Sequence, residues 1–170
     1  MLPVFIVMVI AMDILYAASS NVCTTTGKNL IAHPTKCAQY YNCSAPTVVR
    51  HRYSWEAHLQ ECNYPQLYNP DTQRCEHYSM VQCGNRSEPL GYCEYDWNRC
   101  AGSRYCGPPC HVYNPTCRNL SDGLNVYEYR INSSYFVVCV NQRLVYTGQC
   151  PYLGPGTPRF DPKLRTCSCS

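Results

Sequence analysis

The sequence has few of the side chains that build a large hydrophobic core. Ile, Leu, Val and Met number 33 of 170 residues, and 11 of these lie within residues 1–20. Charged residues make up only 15% of the chain, and no long apolar run follows residue 16. The shortage of aliphatic side chains argues against a large α/β enzyme and against a coiled coil.

Cysteine, tyrosine and proline are abundant instead, with 15, 16 and 13 residues. A chain with this cysteine density is typical of a disulfide scaffold, in which bridges stabilise modules whose cores are too small to fold alone. Disulfides persist in oxidising compartments, so the composition argues against a cytosolic protein. The cysteine count is odd, which leaves at least one thiol to explain.

Residues 1–20 have the pattern of a signal peptide. An apolar stretch interrupted only by Asp13 is followed by the small residues Ala-Ala-Ser-Ser, which predict cleavage at about residues 18–20. Because a bilayer span needs about 20 apolar residues, a membrane anchor is disfavoured. We therefore expect a secreted protein without a membrane association.

The mature chain is mildly basic. Without Asp13 it has 14 basic and 10 acidic residues, and the basic ones are scattered along the sequence. A nucleic-acid binder normally clusters such charge on one face, so we expect no nucleic-acid partner. Four Asn-x-Ser sequons predict glycosylated surface loops, and they begin at Asn42, Asn85, Asn119 and Asn132.

Internal similarity divides the chain into two related modules. Residues 68–75, Tyr-Asn-Pro-Asp-Thr-Gln-Arg-Cys, match residues 160–167, Phe-Asp-Pro-Lys-Leu-Arg-Thr-Cys, in the placement of the aromatic, Asn/Asp, Pro and Cys residues. We predict module 1 over residues 21–84, a connector over 85–113 and module 2 over 114–170. The connector contains four cysteines, enough for two local bridges.

Alternation and β-branched or aromatic enrichment predict an all-β protein. The predicted strands are Gln39–Ser44, Thr47–Trp55, Ser134–Val140 and Arg143–Thr147, paired as two hairpins. A short helical turn is predicted for Trp55–Glu61.

The first module has six cysteines in the order Cys23-x13-Cys37-x5-Cys43-x18-Cys62-x12-Cys75-x7-Cys83. Tyr40-Tyr41 precedes the third cysteine, and Leu67-Tyr-Asn-Pro precedes the fifth. This pattern resembles the type-2 chitin-binding module of peritrophins, the peritrophin-A domain. The resemblance implies a small antiparallel sheet plus a hairpin, bridged Cys23–Cys43, Cys37–Cys83 and Cys62–Cys75. Spacing alone would leave many other pairings open.

The second module departs from this pattern. Its second cysteine position is occupied by Ser133, and its last cysteine is Cys169. The resemblance still implies the bridges Cys117–Cys139 and Cys150–Cys167. Cys169 then lacks its usual partner, and an unpaired cysteine in a secreted protein suggests a disulfide-linked homodimer.

Chitin offers flat sugar faces, against which exposed aromatic rings can stack. In module 1 the resemblance points to Tyr40 and Tyr41, with Tyr41 expected to face the ligand and Tyr53 and Trp55 to support it on a partner strand. In module 2 we expect Tyr135, Phe136 and Tyr146 to serve. Tyr68 is expected to be a core ring.

An enzymatic or metal-dependent function finds no support in the sequence. The closest carboxylate pair is Glu94 and Asp96, two residues apart in the connector, which predicts a solvated acidic turn rather than acid/base chemistry. No serine-hydrolase or zincin motif occurs, and no Cys or His spacing fits a zinc site. We expect no cofactor.

We therefore expect a non-catalytic, secreted, chitin-binding matrix protein, of the kind found in peritrophic matrix, cuticle or shell organic matrix. Chitin or chito-oligosaccharides are the expected ligands. The alternative is a cysteine-rich secreted inhibitor or antimicrobial factor that acts on protein or microbial targets.

Overall fold

A computed structural model describes residues 22–45, 49–50, 53–54, 56–100, 102, 106–152 and 154–169. The expected signal peptide and Trp55 lie outside these residues. The described chain is almost entirely β, with short antiparallel strands, isolated 3-10 turns and one short helix, α1 (Val22–Thr26). None of its helices is long and apolar enough to cross a membrane.

The first half is organised around a three-stranded antiparallel sheet with β2 in the middle. The strands of this half are β1 (Leu30–Ala32), β2 (Gln39–Asn42), β3 (Val49–Arg50), β4 (Tyr53–Ser54) and β5 (Leu59–Glu61). The sheet order is β1-β2-β5, and β3 and β4 form a separate small pair. Since β2 pairs on both sides, its side chains are held in a single register.

A tight hairpin of β6 (Gln66–Asn69) and β7 (Arg74–His77) follows the sheet. Its turn is built by the Asn-Pro motif: the Asn69 side-chain oxygen accepts a hydrogen bond from the Asp71 N–H at 3.0 Å. Such an Asx turn redirects the chain locally. Gln73 then adopts a left-handed φ of 56° before the return strand.

The second half has the same layout. Its strands are β8 (Gly123–Val126), β9 (Tyr135–Val140), β10 (Arg143–Gln149), β11 (Pro158–Asp161) and β12 (Thr166–Cys169). The sheet order is β10-β9-β8, and β11 and β12 form the hairpin. The turn repeats that of the first half, because Asp161 accepts a hydrogen bond from the Lys163 N–H at 2.8 Å and Arg165 has a φ of 53°.

The same backbone hydrogen bonds connect sheet and hairpin in both halves. The Tyr68 N–H donates to the Cys37 carbonyl at 3.0 Å, and the Phe160 N–H donates to the Ser133 carbonyl at 2.9 Å. Ser133 thus occupies in the second half the place that Cys37 occupies in the first.

Seven disulfides close the fold, and they include the five pairs that the resemblance implied. These bridges are Cys23–Cys43, Cys37–Cys83, Cys62–Cys75, Cys117–Cys139 and Cys150–Cys167. The connector contains the two local bridges expected from its four cysteines, Cys93–Cys110 and Cys100–Cys106. Cys169 is free and exposed.

Two small cores lie beneath the sheets. The second contains Cys117, Tyr127, Val137 and Cys139. The first contains Cys37, Ala38 and Leu67 together with Tyr95 from the connector, which is 1% exposed and donates its hydroxyl hydrogen to the Gln66 carbonyl at 2.9 Å. The connector therefore completes the core of the first half.

Two secondary-structure predictions were wrong. Where one strand was predicted over residues 47–55, the described residues form two short strands, β3 and β4, which pair with each other, and the neighbours of β2 are β1 and β5. Residues 59–61 form strand β5 rather than part of a helical turn. A prediction about side chains was also wrong, because Glu94 and Asp96 are partly buried and ion-paired rather than a solvated turn.

Candidate sugar-binding surface

The two aromatic residues before Cys43 point in opposite directions. Along β2, Gln39 and Tyr41 are buried, whereas Tyr40 and Asn42 are partly exposed. This alternation is expected of a strand, but the structure reverses the expected roles. Tyr41 is only 6% exposed, and Tyr40 is the ring nearer the surface.

Tyr41 is held in place by two polar neighbours that the sequence did not suggest. Its hydroxyl donates to the Glu56 carboxylate at 2.6 Å, and the His33 ring stacks against it with centroids 5.7 Å apart. Burial, and then the hydrogen bond to Glu56, raises the pKa of Tyr41. Tyr41 therefore acts as a structural ring that anchors the loop bearing Glu56.

Tyr40 lies on the opposite side of β2 and stacks on Tyr68, with centroids 4.5 Å apart and an interplanar angle of 13°. Tyr68 is 1% exposed, as expected for a core ring. A buried ring thus supports a partly exposed ring from behind. The two rings form a stacked pair that leads from the core to the surface.

The equivalent surface of the second half carries three rings. Phe136 occupies the place of Tyr40 and packs against the buried Phe160 at 5.7 Å. On its other side it meets Tyr146 at 6.2 Å, and Tyr146 is 59% exposed. The rings therefore form a series from the core to solvent that ends in an exposed tyrosine.

Gly148 makes this arrangement possible. It lies directly opposite Phe136 in the β9–β10 pair. A Cβ atom at this position would lie 2.7 Å from Phe136 Cε2 and from Tyr146 Cε1, and closer still to Phe136 Cζ. Both rings therefore cover the glycine, and only a residue without a side chain fits beneath them.

Tyr135 is less available than the other expected site residues of the second half. The Arg130 guanidinium lies 4.3 Å from the centroid of the Tyr135 ring, so one face of that ring is already covered. The Tyr53 side chain and Trp55 lie outside the described structure. Among the described side chains, Tyr40, Phe136 and Tyr146 are the candidates for sugar stacking.

Each carboxylate of the Glu94 and Asp96 pair has a cationic partner, Arg118 for Glu94 and Lys36 for Asp96. Burial disfavours ionisation of Glu94, but hydrogen bonds from Arg118 and from the Leu90 N–H outweigh it and lower the pKa of this carboxyl. Burial likewise opposes ionisation of Asp96, and hydrogen bonds from Lys36 and Gln39 lower its pKa. Both groups are therefore ionised partners in structural ion pairs.

Comparison with known families found a match within the first half. Residues 23–83 match the family model of the chitin binding Peritrophin-A domain. The match supports chitin as a ligand of this extracellular, disulfide-bonded class. In a comparison with curated proteins, no relative was found.

Proposed function

We propose that this protein is a secreted, non-catalytic component of a chitinous matrix, such as peritrophic matrix, cuticle or shell organic matrix. The observation that carries this proposal is, in each half, a ring at the surface that packs against a more deeply placed ring on a disulfide-bonded sheet. In the segment that matches the chitin-binding family, that ring is Tyr40 on Tyr68. In the second half it is Tyr146 on Phe136.

We further propose that residues 21–84 and 114–170 are two copies of one module, the second degenerate. The shared strand order, the equivalent hydrogen bonds to Cys37 and Ser133, and the matching hairpin turns support this division. If both copies bind chitin, their covalent linkage raises the apparent affinity through effective concentration.

Sugar rings bury their apolar C–H faces against such tyrosines, while hydroxyl and amide groups hydrogen-bond at the edge. The interaction needs no charge and no catalytic acid. It requires only that the protein ring is exposed and does not move. The ring of Phe136 is held in place because it packs on Phe160 and, together with Tyr146, covers Gly148.

The proposal is tested by retention on chitin beads with competition by chito-oligosaccharides. We expect Tyr146→Ala to weaken retention about 3- to 10-fold, the effect of losing one stacking ring. Tyr113→Ala is the matched control, since Tyr113 is 67% exposed but lies outside both ring series. Equal losses for the two variants would contradict the assigned surface. A wild-type chain that is not retained would favour an inhibitor or antimicrobial factor.

The secretory features fit this proposal. Asn85, Asn119 and Asn132 are exposed and accessible to glycans. Asn42 is partly buried in β2 and its side-chain oxygen accepts a hydrogen bond from the Ser44 N–H at 3.1 Å. We therefore assign glycans to the sequons at Asn85, Asn119 and Asn132 in preference to Asn42.

We also propose a disulfide-linked homodimer through Cys169. The Cys169 thiol is free and exposed. Cys169 lies in β12, where its strand partner is Pro158. On a non-reducing gel, wild-type protein should give a dimer band that is lost in Cys169→Ser. A dimer band that persists in this variant would show that the thiol is not the link.

A further inference from the structure

The turn between β1 and β2 is closed by the side chain of a histidine. The Nδ1 atom of His33 accepts hydrogen bonds from the backbone N–H groups of Thr35 and Lys36, each at 3.1 Å. The His33 N–H in turn donates to the Gln39 carbonyl at 3.0 Å, where the two strands meet. The ring nitrogen of the first turn residue therefore organises the backbone of the turn.

The second half contains the same local arrangement with a carboxylate in place of the ring. Asp161 Oδ1 accepts from the N–H groups of Lys163 and Leu164, two and three residues later, at 2.8 and 3.1 Å. Side-chain oxygens of Asn and Asp are the usual acceptors in such turns. A histidine in this role differs from them, because its acceptor nitrogen takes up a proton within the range of about pH 5 to 8.

Protonation of the ring is incompatible with this turn. A nitrogen that accepts a hydrogen bond carries a lone pair, so the neutral His33 ring has its hydrogen on Nε2. The protonated ring has N–H groups at both positions and only donates. The Thr35 hydroxyl, 3.4 Å from Nδ1, can rotate to accept from it, but the backbone N–H groups of Thr35 and Lys36 lose their acceptor and face a cation.

The surroundings of the ring favour its neutral form. The ring is partly buried and stacks on Tyr41, whose hydroxyl donates to Glu56. Burial is the largest effect, and it lowers the pKa of His33 below its ordinary value of 6.5. The carboxylates of Glu56 and Asp96 oppose this change, and the Lys36 ammonium adds to it. The folded protein therefore holds the ring in the form that closes the turn.

The same turn is where the connector docks on the first half. The Ser87 N–H and the Ser87 hydroxyl both donate to the Thr35 carbonyl, at 2.7 and 2.8 Å, and the Ser87 carbonyl accepts from the Cys37 N–H at 2.8 Å. Lys36 pairs with Asp96 of the connector. The turn closed by the histidine thus supplies backbone groups and a cation that bind the connector.

We propose that His33 is a pH-sensitive switch for docking of the connector: the neutral ring holds the β1–β2 turn in the form that binds the connector, and the protonated ring releases it. The switch is independent of sugar binding. The stability that it contributes is present above pH 6.5, the ordinary pKa of the ring in the released turn. This stability falls as the pH decreases below that value, and it is lost once the pH passes the lower pKa of the docked state.

Among the described residues, no other histidine accepts from two backbone N–H groups. His58 Nδ1 lies 2.8 Å from the Ala45 carbonyl, so this nitrogen carries a hydrogen in both protonation states. His77 Nδ1 lies 2.8 Å from the Ser79 hydroxyl, which can donate or accept. Its contact with the Ser79 N–H is long, at 3.4 Å. His77 therefore provides the matched control for His33.

The test is amide hydrogen exchange of the ¹⁵N-labelled full chain at about pH 7.5 and about pH 5, on either side of the histidine range. Protection factors remove the intrinsic effect of pH on exchange. In the wild type, we expect protection of the Cys37 and Ser87 amides to fall about tenfold at the lower pH, the effect of losing about one hydrogen bond. His33→Asn supplies an acceptor that does not titrate, so its protection should not change. His77→Asn should behave like the wild type.

Wild-type protection that is the same at both pH values would overturn the proposal. An equal decrease in His33→Asn would also overturn it, because another group would then be responsible. If His33→Asn fails to fold, long-range ¹H–¹⁵N spectra of the wild type decide. They should show an unprotonated Nδ1 in His33 at about pH 7.5 and a ring titration that the Ser87 amide follows. A hydrogen on Nδ1 at that pH, or a Ser87 amide that does not follow the ring, would contradict the switch.

Discussion

At the scale of single residues, the alternation of side chains along strand β2 gives two adjacent tyrosines different roles. Tyr41 is buried and hydrogen-bonded to Glu56, whereas its neighbour Tyr40 stacks on Tyr68 nearer the surface. In strand β9 the same alternation buries Val137 and places Phe136 on the outer side. The residue type at each place follows from this: the inner position accepts Tyr or Val, and the outer one is aromatic in both halves.

Gly148 is the residue whose replacement should disturb the second surface most. We expect Gly148→Ala to displace the rings of Phe136 and Tyr146 and to lower the free energy of unfolding by about 1–3 kcal/mol, because the added methyl group overpacks the site. Chitin retention should fall with it. Denaturant unfolding measures the stability change.

Gly91→Ala is the control for this prediction. Gly91 is also buried, but it has an extended φ of −122°, and the nearest atom to a new Cβ would be 3.6 Å away. It should lose little stability. A Gly148→Ala variant as stable as Gly91→Ala would show that the rings adjust without cost.

At the scale of elements, each half is a sheet followed by a hairpin, and the connector is part of the first of these units. Ser87 donates its N–H to the Thr35 carbonyl at 2.7 Å and accepts from the Cys37 N–H at 2.8 Å. Further along, Tyr95 enters the core beside Leu67. The first folding unit therefore extends beyond residue 83, where the family match ends.

Tyr95→Ala tests this extension. Removing a buried ring from a small core should destabilise the protein by about 3–5 kcal/mol, although the residue lies outside the matched segment. Tyr92→Ala changes the same side chain three residues earlier, where it is 41% exposed, and should have a much smaller effect. Thermal unfolding of the two variants compares them. Similar melting temperatures would mean that the connector only lies against the surface.

At the scale of the whole molecule, ion pairs join the connector to the second half. Arg143, 6% exposed, pairs with Glu88, donates to the Leu90 carbonyl and lies 3.6 Å from the centroid of the Tyr78 ring. Tyr78 belongs to the first half, so the guanidinium of this second-half residue contacts both the first half and the connector.

Removing the buried Arg143 should lower stability far more than removing Arg118, the exposed cation of the Arg118–Glu94 pair. We expect Arg143→Ala to lower the free energy of unfolding by about 3 kcal/mol, since it removes a buried cation and leaves Glu88 unpaired. Arg118→Ala removes a pair whose arginine side chain is 44% exposed, and should cost about 0–1 kcal/mol. Denaturant titrations of both variants give the comparison. Equal costs would contradict a central role for Arg143.

Much of the local structure could be predicted from the sequence. The hairpin turns follow from Asn69 and Asp161, whose side chains bond to the backbone two residues later. The disulfide pairs followed from the resemblance rather than from spacing, and Cys169 is left unpaired where Ser133 replaces a cysteine. These features depend on residues close in sequence or on a family pattern.

The features that the sequence could not decide involve contacts between distant segments. A repeat of Tyr-Tyr or Phe-Val before a cysteine shows that one ring faces outward, but only pairing of β2 with β1 and β5 determines that this ring is Tyr40. Burial of Tyr95 against Leu67 has no local signal either.

The shortage of aliphatic side chains by itself determined that this is a small, disulfide-stabilised protein, because so little apolar surface cannot offset the entropy of ordering the chain. Only the tertiary structure decided which other contacts stabilise the fold in place of aliphatic side chains. Aromatic rings fill the cores, a connector tyrosine completes the first, and ion pairs join the parts. Such contacts depend on three-dimensional packing, which composition and spacing do not specify.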